Sequence, residues 1–243
     1  MAVALLGRPY LELLQAPSLD EVRRIQLGHG SSGLALDEAG TVLAAACPEA
    51  GEVVLVPLEG GEPRRVALGG QPYHLAWRGR RLLVTNPGRG SLQWVDADGG
   101  RLEAEVPLGL GPRGLACSGD RALVALYDDN ALAILSADGP GAVKRLPLEG
   151  GPCAVLATDG GALVSLSEEG AVAWLDLETG RTDRLPVGAG AAGMALSADG
   201  KSVFVCCEVE GDVAVVNLAD RQVSGHLDLP MGARPREALL VRP

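Results

Sequence analysis

The side chains in this sequence that could do chemistry are few. Its three histidines are His29, His74 and His226. Two neutral imidazoles brought together can hold a metal ion or act as base and orienter; His29 and His74 are the candidates for such a pair. Arg113 and Arg236 fall in one column of a repeated motif, and a guanidinium presents a fork of donors suited to a carboxylate or phosphate. Carboxylates gather in polar loops: Glu49, Glu52, Asp128, Asp129, Glu168, Glu169, Glu208, Glu210 and Asp212. Such oxygens suit a hard cation or a basic partner, but no loop carries an EF-hand series of ligands. Cys206 and Cys207 are adjacent in a strand-like run, so their side chains point to opposite faces and read as two separate buried thiols. There is no G-x-S-x-G, P-loop or HExxH. The stretch "PLGLGPRG" at 107–114 joins two strands, whereas a dinucleotide fingerprint must open a helix.

Composition narrows the field further. The chain has 243 residues, 47% of them hydrophobic and only 3% aromatic, so Leu, Val and Ala must build the core. With 34 Gly and 16 Pro, many short elements with tight turns are expected. The net charge of −10 gives no electrostatic reason to bind nucleic acid. No run approaches the ~20 apolar residues of a membrane span. The start, "MAVALLGRPYLELLQ", lacks the basic region of a signal peptide. Five cysteines without a CxxC argue against a disulfide framework or zinc site, and a reduced, cytoplasmic setting is expected. No cofactor and no resident metal are expected.

The elements that position these residues come from a repeat. The segments "GHGSSGLAL", "GGQPYHLAW", "GLGPRGLAC", "EGGPCAVLA", "AGAAGMALS" and "GARPREALL" align on Leu34, Leu75, Leu115, Val155, Met194 and Ala238. The spacings are 41, 40, 40, 39 and 44 residues. A period near 40 marks propeller blades. Within each period a first strand is followed by a second ("TVLAAAC", "RLLVTN", "ALVALY", "ALVSLS", "SVFVCC") and a third ("EVVLVP", "SLQWVD", "ALAILS", "AVAWLD", "DVAVVN"). The third closes on Asp96, Ser136, Asp176 or Asn217, whose short polar side chains can bond the backbone two residues on. A fourth, more polar strand suits an outer edge. The expected fold is all-β: one domain, 1–243, forming a six-bladed β-propeller of four-stranded antiparallel blades. Its C-terminal strand, "REALLV", would complete the N-terminal blade begun by "MAVALL", "YLELLQ" and "DEVRRIQL".

The segment "LLVTN" at 82–86, with "SLQWVDADGGRLEAEVPLGLGPRGLA" after it, resembles the YVTN-type β-propeller repeat. Val84, Thr85 and Asn86 fill that signature, and Gly-Pro pairs recur at Gly111-Pro112 and Gly151-Pro152. The resemblance implies first strands around a central channel, and second-to-third loops gathered on one face. On that layout Tyr73, His74, Arg113, Arg236 and His29 sit at the channel mouth as ligand-binding residues. Asp128, Asp129, Glu168, Glu169, Glu208 and Glu210 form an acidic, partner-binding rim.

The expected function is a non-catalytic, monomeric platform that binds a small anionic ligand or a protein with a basic surface. The alternative is a metal-dependent, lactonase-like hydrolase using His29, His74 and loop carboxylates in the channel.

Overall fold

The structure is a computed structural model that describes residues 2–4, 9–15, 20–229 and 233–235. Every regular element among them is a strand, and the strands fall into two compact units. The first unit spans Met1–Arg113 with Ser136–Ala142. It holds the sheet of β1 (Ala2–Ala4), β2 (Tyr10–Gln15) and β3 (Asp20–Gln26). It also holds the sheet of β4 (Gly33–Leu36), β5 (Val42–Cys47), β6 (Glu52–Pro57) and β7 (Arg64–Ala67). Its third sheet is β8 (Leu75–Arg78), β9 (Arg81–Asn86), β10 (Ser91–Asp96) and β11 (Arg101–Pro107).

The second unit spans Gly114–Leu135 with Val143–Pro243. Nearly all of the sheet of β12 (Pro112–Ser118), β13 (Arg121–Leu126), β14 (Ala131–Ser136) and β15 (Lys144–Pro147) lies there. So do β16 (Pro152–Thr158), β17 (Gly161–Leu166), β18 (Ala171–Asp176) and β19 (Thr182–Pro186), and then β20 (Ala191–Leu196), β21 (Ser202–Cys207), β22 (Asp212–Asn217) and β23 (Gln222–Asp228). Each sheet is an antiparallel meander in chain order. The strand expected to close the first sheet, "REALLV", lies outside the described residues, as does Arg236.

The inner strands read as near-continuous apolar runs where neighbouring sheets cover both of their faces. In β5, Ala44 and Ala46 pack with Leu75, Leu82 and Val84 of the following sheet. Ala45 and Cys47, on the opposite face, pack with Leu11, Ile25 and Leu27 of the preceding sheet. β17 divides its side chains the same way, with Ala162, Val164 and Leu166 toward one cluster and Leu163 toward another. This is the period-2 alternation of a strand used twice. Each fully buried Leu contributes about 1.5–3 kcal/mol by leaving water.

Turn chemistry fixes the loops. The turn after the second strand ends on a residue with positive φ: Gly51 (65°), Gly90 (62°), Asn130 (48°), Gly170 (68°) and Gly211 (81°). The carbonyls of Gly51, Gly90 and Gly170 each accept two backbone N–H groups from the exit of the fourth strand. A Cβ on Gly90 would sit 2.5 Å from the carbonyl oxygen of Gly109, so a side chain is barred there. At the third-strand exits, Asp96 accepts from the N–H groups of Asp98 (3.1 Å) and Gly99 (2.9 Å). Ser136 accepts from Asp138 N–H at 3.1 Å, Asp176 from Glu178 at 2.9 Å, and Asn217 from Ala219 at 2.8 Å.

A further tie recurs every 40 residues, at the carbonyls of Pro57, Ala97, Ala137 and Leu177. Each accepts a side-chain donor from the preceding repeat. The donors are the guanidinium of Arg23 (3.4 Å), the guanidinium of Arg64 (2.9 Å), the indole N–H of Trp94 (2.8 Å) and the ammonium of Lys144 (3.0 Å).

Candidate functional site

In the first unit, backbone hydrogen bonds link three of the residues expected at the mouth, Tyr73, His74 and Arg113. Tyr73, His74 and Arg113 are half-buried and His29 is exposed. Thr85, fully buried on β9, organises them. Its hydroxyl accepts from the His74 backbone N–H at 3.0 Å and donates to the Arg113 carbonyl at 2.8 Å. The Thr85 carbonyl also accepts the Tyr73 N–H at 2.8 Å. One hydroxyl therefore fixes the start of its own first strand and the start of the next. On the other side, the Ser32 hydroxyl donates to the Tyr73 carbonyl at 3.0 Å. The contact is tight: a Cβ on Gly33 would stand 2.5 Å from that same carbonyl oxygen.

Asn86, the next residue of β9, is also fully buried and serves the connection into β8. Its amide donates to the Gly69 carbonyl (2.8 Å) and to Gln93 Oε1 (3.0 Å), and its Oδ1 accepts the Gln71 N–H (2.8 Å). All three contacts are intramolecular, so Asn86 shapes the loop beneath Tyr73. Gly70 lies flush on it, since a Cβ there would meet Asn86 Oδ1 at 2.4 Å.

His29 does not join His74 in a metal-ligating cluster. Its Nδ1 lies 3.8 Å from Glu49 Oε2, with both side chains largely in solvent. Among the described residues, no group of three or more His, Cys, Asp or Glu is placed to hold a metal ion. His226 is exposed on β23 and pairs with Asp212 at 2.8 Å.

The rim carboxylates divide into two sets. Asp129 pairs with Arg145 at 2.6 Å, and Glu169 pairs with Arg184. The pairing follows register. Val54↔Arg65, Gln93↔Glu105, Ala133↔Arg145, Ala173↔Arg184 and Ala214↔His226 are the same position in five sheets. At four of these the outer strand meets an opposite charge from the turn or from the start of the third strand, Glu52, Arg89, Asp129 and Glu169, and at the fifth His226 meets Asp212. In β11 the polarity is reversed, and the Arg89 guanidinium holds the Glu105 carboxyl below its usual range. Asp128, Glu168 and Glu210 remain exposed, and Glu208 is half-buried. Glu168 and Glu169 lean on the glycines of the next connector, where a Cβ on Gly151 would meet Glu168 Cγ at 2.7 Å.

All five cysteines are free thiols. Cys206 and Cys207 are both buried, opposite Val213 and Asp212. Burial pushes the Cys47 and Cys207 thiols up to about 11.

The sequence analysis names Tyr73, His74 and Arg113 but misses Thr85 as the residue that ties them. The signal was present in "VTN": a hydroxyl between apolar strand residues needs a buried partner. Ser165 repeats the arrangement in the second unit, its hydroxyl accepting the Ala154 N–H at 2.9 Å.

No family model and no curated protein matches the sequence. Solved structures do. Streptogramin B lyase superposes with a TM-score of 0.74 at 16% identity, over 85% of this chain and 72% of that one. A chain of the nidogen/laminin complex gives 0.74 at 15% identity, over 97% and 96%. Hydrazine synthase of Kuenenia stuttgartiensis gives 0.79 at 13% identity, over 94% and 82%. At these identities the likeness shows fold alone, and it agrees with the six antiparallel sheets: the chain is a six-bladed β-propeller.

Proposed function

We propose that this chain is a YVTN-type propeller acting as a non-catalytic binding platform, with a small anionic ligand held at Tyr73, His74 and Arg113. The observation that carries the reading is the Thr85 hydroxyl, which bridges the His74 N–H and the Arg113 carbonyl. It fixes the backbone under a phenol, an imidazole and a guanidinium, all of them half-buried. Fixing the backbone lowers the ordering cost that binding would otherwise incur. A guanidinium and an imidazole are donors matched to carboxylate or phosphate. The exposed acids Asp128, Glu168 and Glu210 would keep other anions off the neighbouring loops and favour a basic protein surface there.

The test is calorimetric titration and thermal shift with phosphate, citrate and sugar acids. Stabilisation by one of these that disappears in Arg113→Ala supports the reading. Indifference to every anion, or a shift unchanged in Arg113→Ala, rejects it.

A further inference from the structure

Among the described residues, the outer strand of each sheet is an edge that pairs with no other strand on one side, and such an edge can pair with another chain. Most of the outer strands here are defended. β7 carries Arg64 and Arg65, β15 carries Lys144, Arg145 and Pro147, and β19 ends in Pro186. β3 carries Arg23 and Arg24, and β11 ends in Pro107. Self-pairing of β11 about its midpoint Ala104 would set Glu103 against Glu105. Self-pairing of β19 about Asp183 or Arg184 would set like charges face to face. β23 differs. From Gln222 to Leu229 it has no Lys, Arg or Pro, and it exposes Leu227 (50%) and Leu229 (37%).

We infer that β23 pairs with β23 of a second copy of this chain, antiparallel about Leu227. A two-fold axis perpendicular to the sheet places each residue opposite one from the same face, which gives three kinds of pair. Leu227 meets Leu227 of the second copy. Leu229 lies over Gly225, which has nothing within 4 Å of where a Cβ would be and so leaves room for a leucine. His226 meets Asp228, an imidazole opposite a carboxylate, and the symmetry makes this pair twice. No like charges oppose one another, and two exposed leucines leave water. The chemistry of this edge is thus complementary to itself, which is the requirement for an isologous contact. The short edge makes a weak, concentration-dependent dimer the expected product.

Sedimentation velocity over a concentration series, in the low to high micromolar range, tests this. Wild type should shift from 24.9 kDa toward twice that mass as concentration rises. Leu227→Lys, which sets two ammonium groups face to face at the two-fold, should stay monomeric with an unchanged circular dichroism spectrum. Leu196→Lys, at an apolar residue 37% exposed on β20, the opposite edge of the same sheet, should dimerise like wild type. Amide exchange at residues 225–229 should slow with protein concentration. A wild type that stays monomeric throughout, or a Leu227→Lys variant that dimerises as wild type does, overturns the inference. So does loss of dimer in Leu196→Lys.

Discussion

Thr85 donates its hydroxyl hydrogen to the carbonyl of Arg113 across 2.8 Å, joining β9 to the start of the following first strand. The same oxygen accepts the His74 N–H at 3.0 Å, so it serves two backbone groups while fully buried. Thr85→Val keeps the shape and removes both bonds. It should destabilise the protein by about 1–3 kcal/mol, the cost of leaving buried polar groups unpaired. Urea denaturation measures this, and Thr85→Ser should recover most of the loss.

Asn130 stands where the neighbouring repeats use Gly51, Gly90 and Gly170. Asn tolerates the left-handed backbone better than other non-glycine residues. Its Oδ1 also accepts the N–H groups of Gly150 and Gly151, both at 3.0 Å. Asn130→Ala loses the acceptor and adds backbone strain; Asn130→Gly loses only the acceptor. Chemical denaturation should rank stability as wild type, then Asn130→Gly, then Asn130→Ala, with the alanine variant about 2 kcal/mol or more below wild type.

Trp94 is buried with its indole N–H on the Ala137 carbonyl at 2.8 Å. Trp94→Phe removes the donor and leaves a void, and should cost about 2–4 kcal/mol. Its loss should also remove the most blue-shifted part of the tryptophan emission. Lys144 makes the corresponding contact with Leu177 from a more exposed position, so Lys144→Met should cost less than about 1 kcal/mol.

Stability should fall at both ends of the pH range. For Asp37, burial acts against ionisation, but hydrogen bonds from Val42 and Thr41 outweigh it and hold the carboxyl below its ordinary 3.8. Hydrogen bonds from Thr179 to Asp176 and from Ser197 to Asp199 act in the same direction. Carboxyls lowered on folding stabilise the native state above their unfolded values, and that contribution is lost as pH falls through the folded ones. Melting temperature should therefore drop below about pH 4. The thiols of Cys47 and Cys207 are raised instead, so their contribution is present below 9.0 and is lost as pH rises toward about 11. Ellman's reagent at pH 8 should leave Cys47, Cys206 and Cys207 unreacted until the protein is unfolded.

Most of the fold was legible in the residues. The third strands follow the quoted segments residue for residue, from "EVVLVP" as β6 to "DVAVVN" as β22, because turn residues bound each apolar run on both sides. The side chains at 96, 136, 176 and 217 turn the chain as their type requires. The candidate site was legible only in part. Tyr73, His74 and Arg113 could be named from their column in the repeat, but the hydroxyl joining them sits in another strand. Nor did acidic loops reveal that Asp129 and Glu169 are paired, because the partner arginines lie about 15 residues on and only the strand register brings them across.

The acceptors at 57, 97, 137 and 177 are main-chain oxygens, which no point mutation can delete. Guanidinium, indole and ammonium all fit them, so the fastening survives a change of bolt provided the hole keeps its place. Swapping donors between repeats should therefore cost little, whereas inserting a single residue into one third-strand turn should loosen that joint alone.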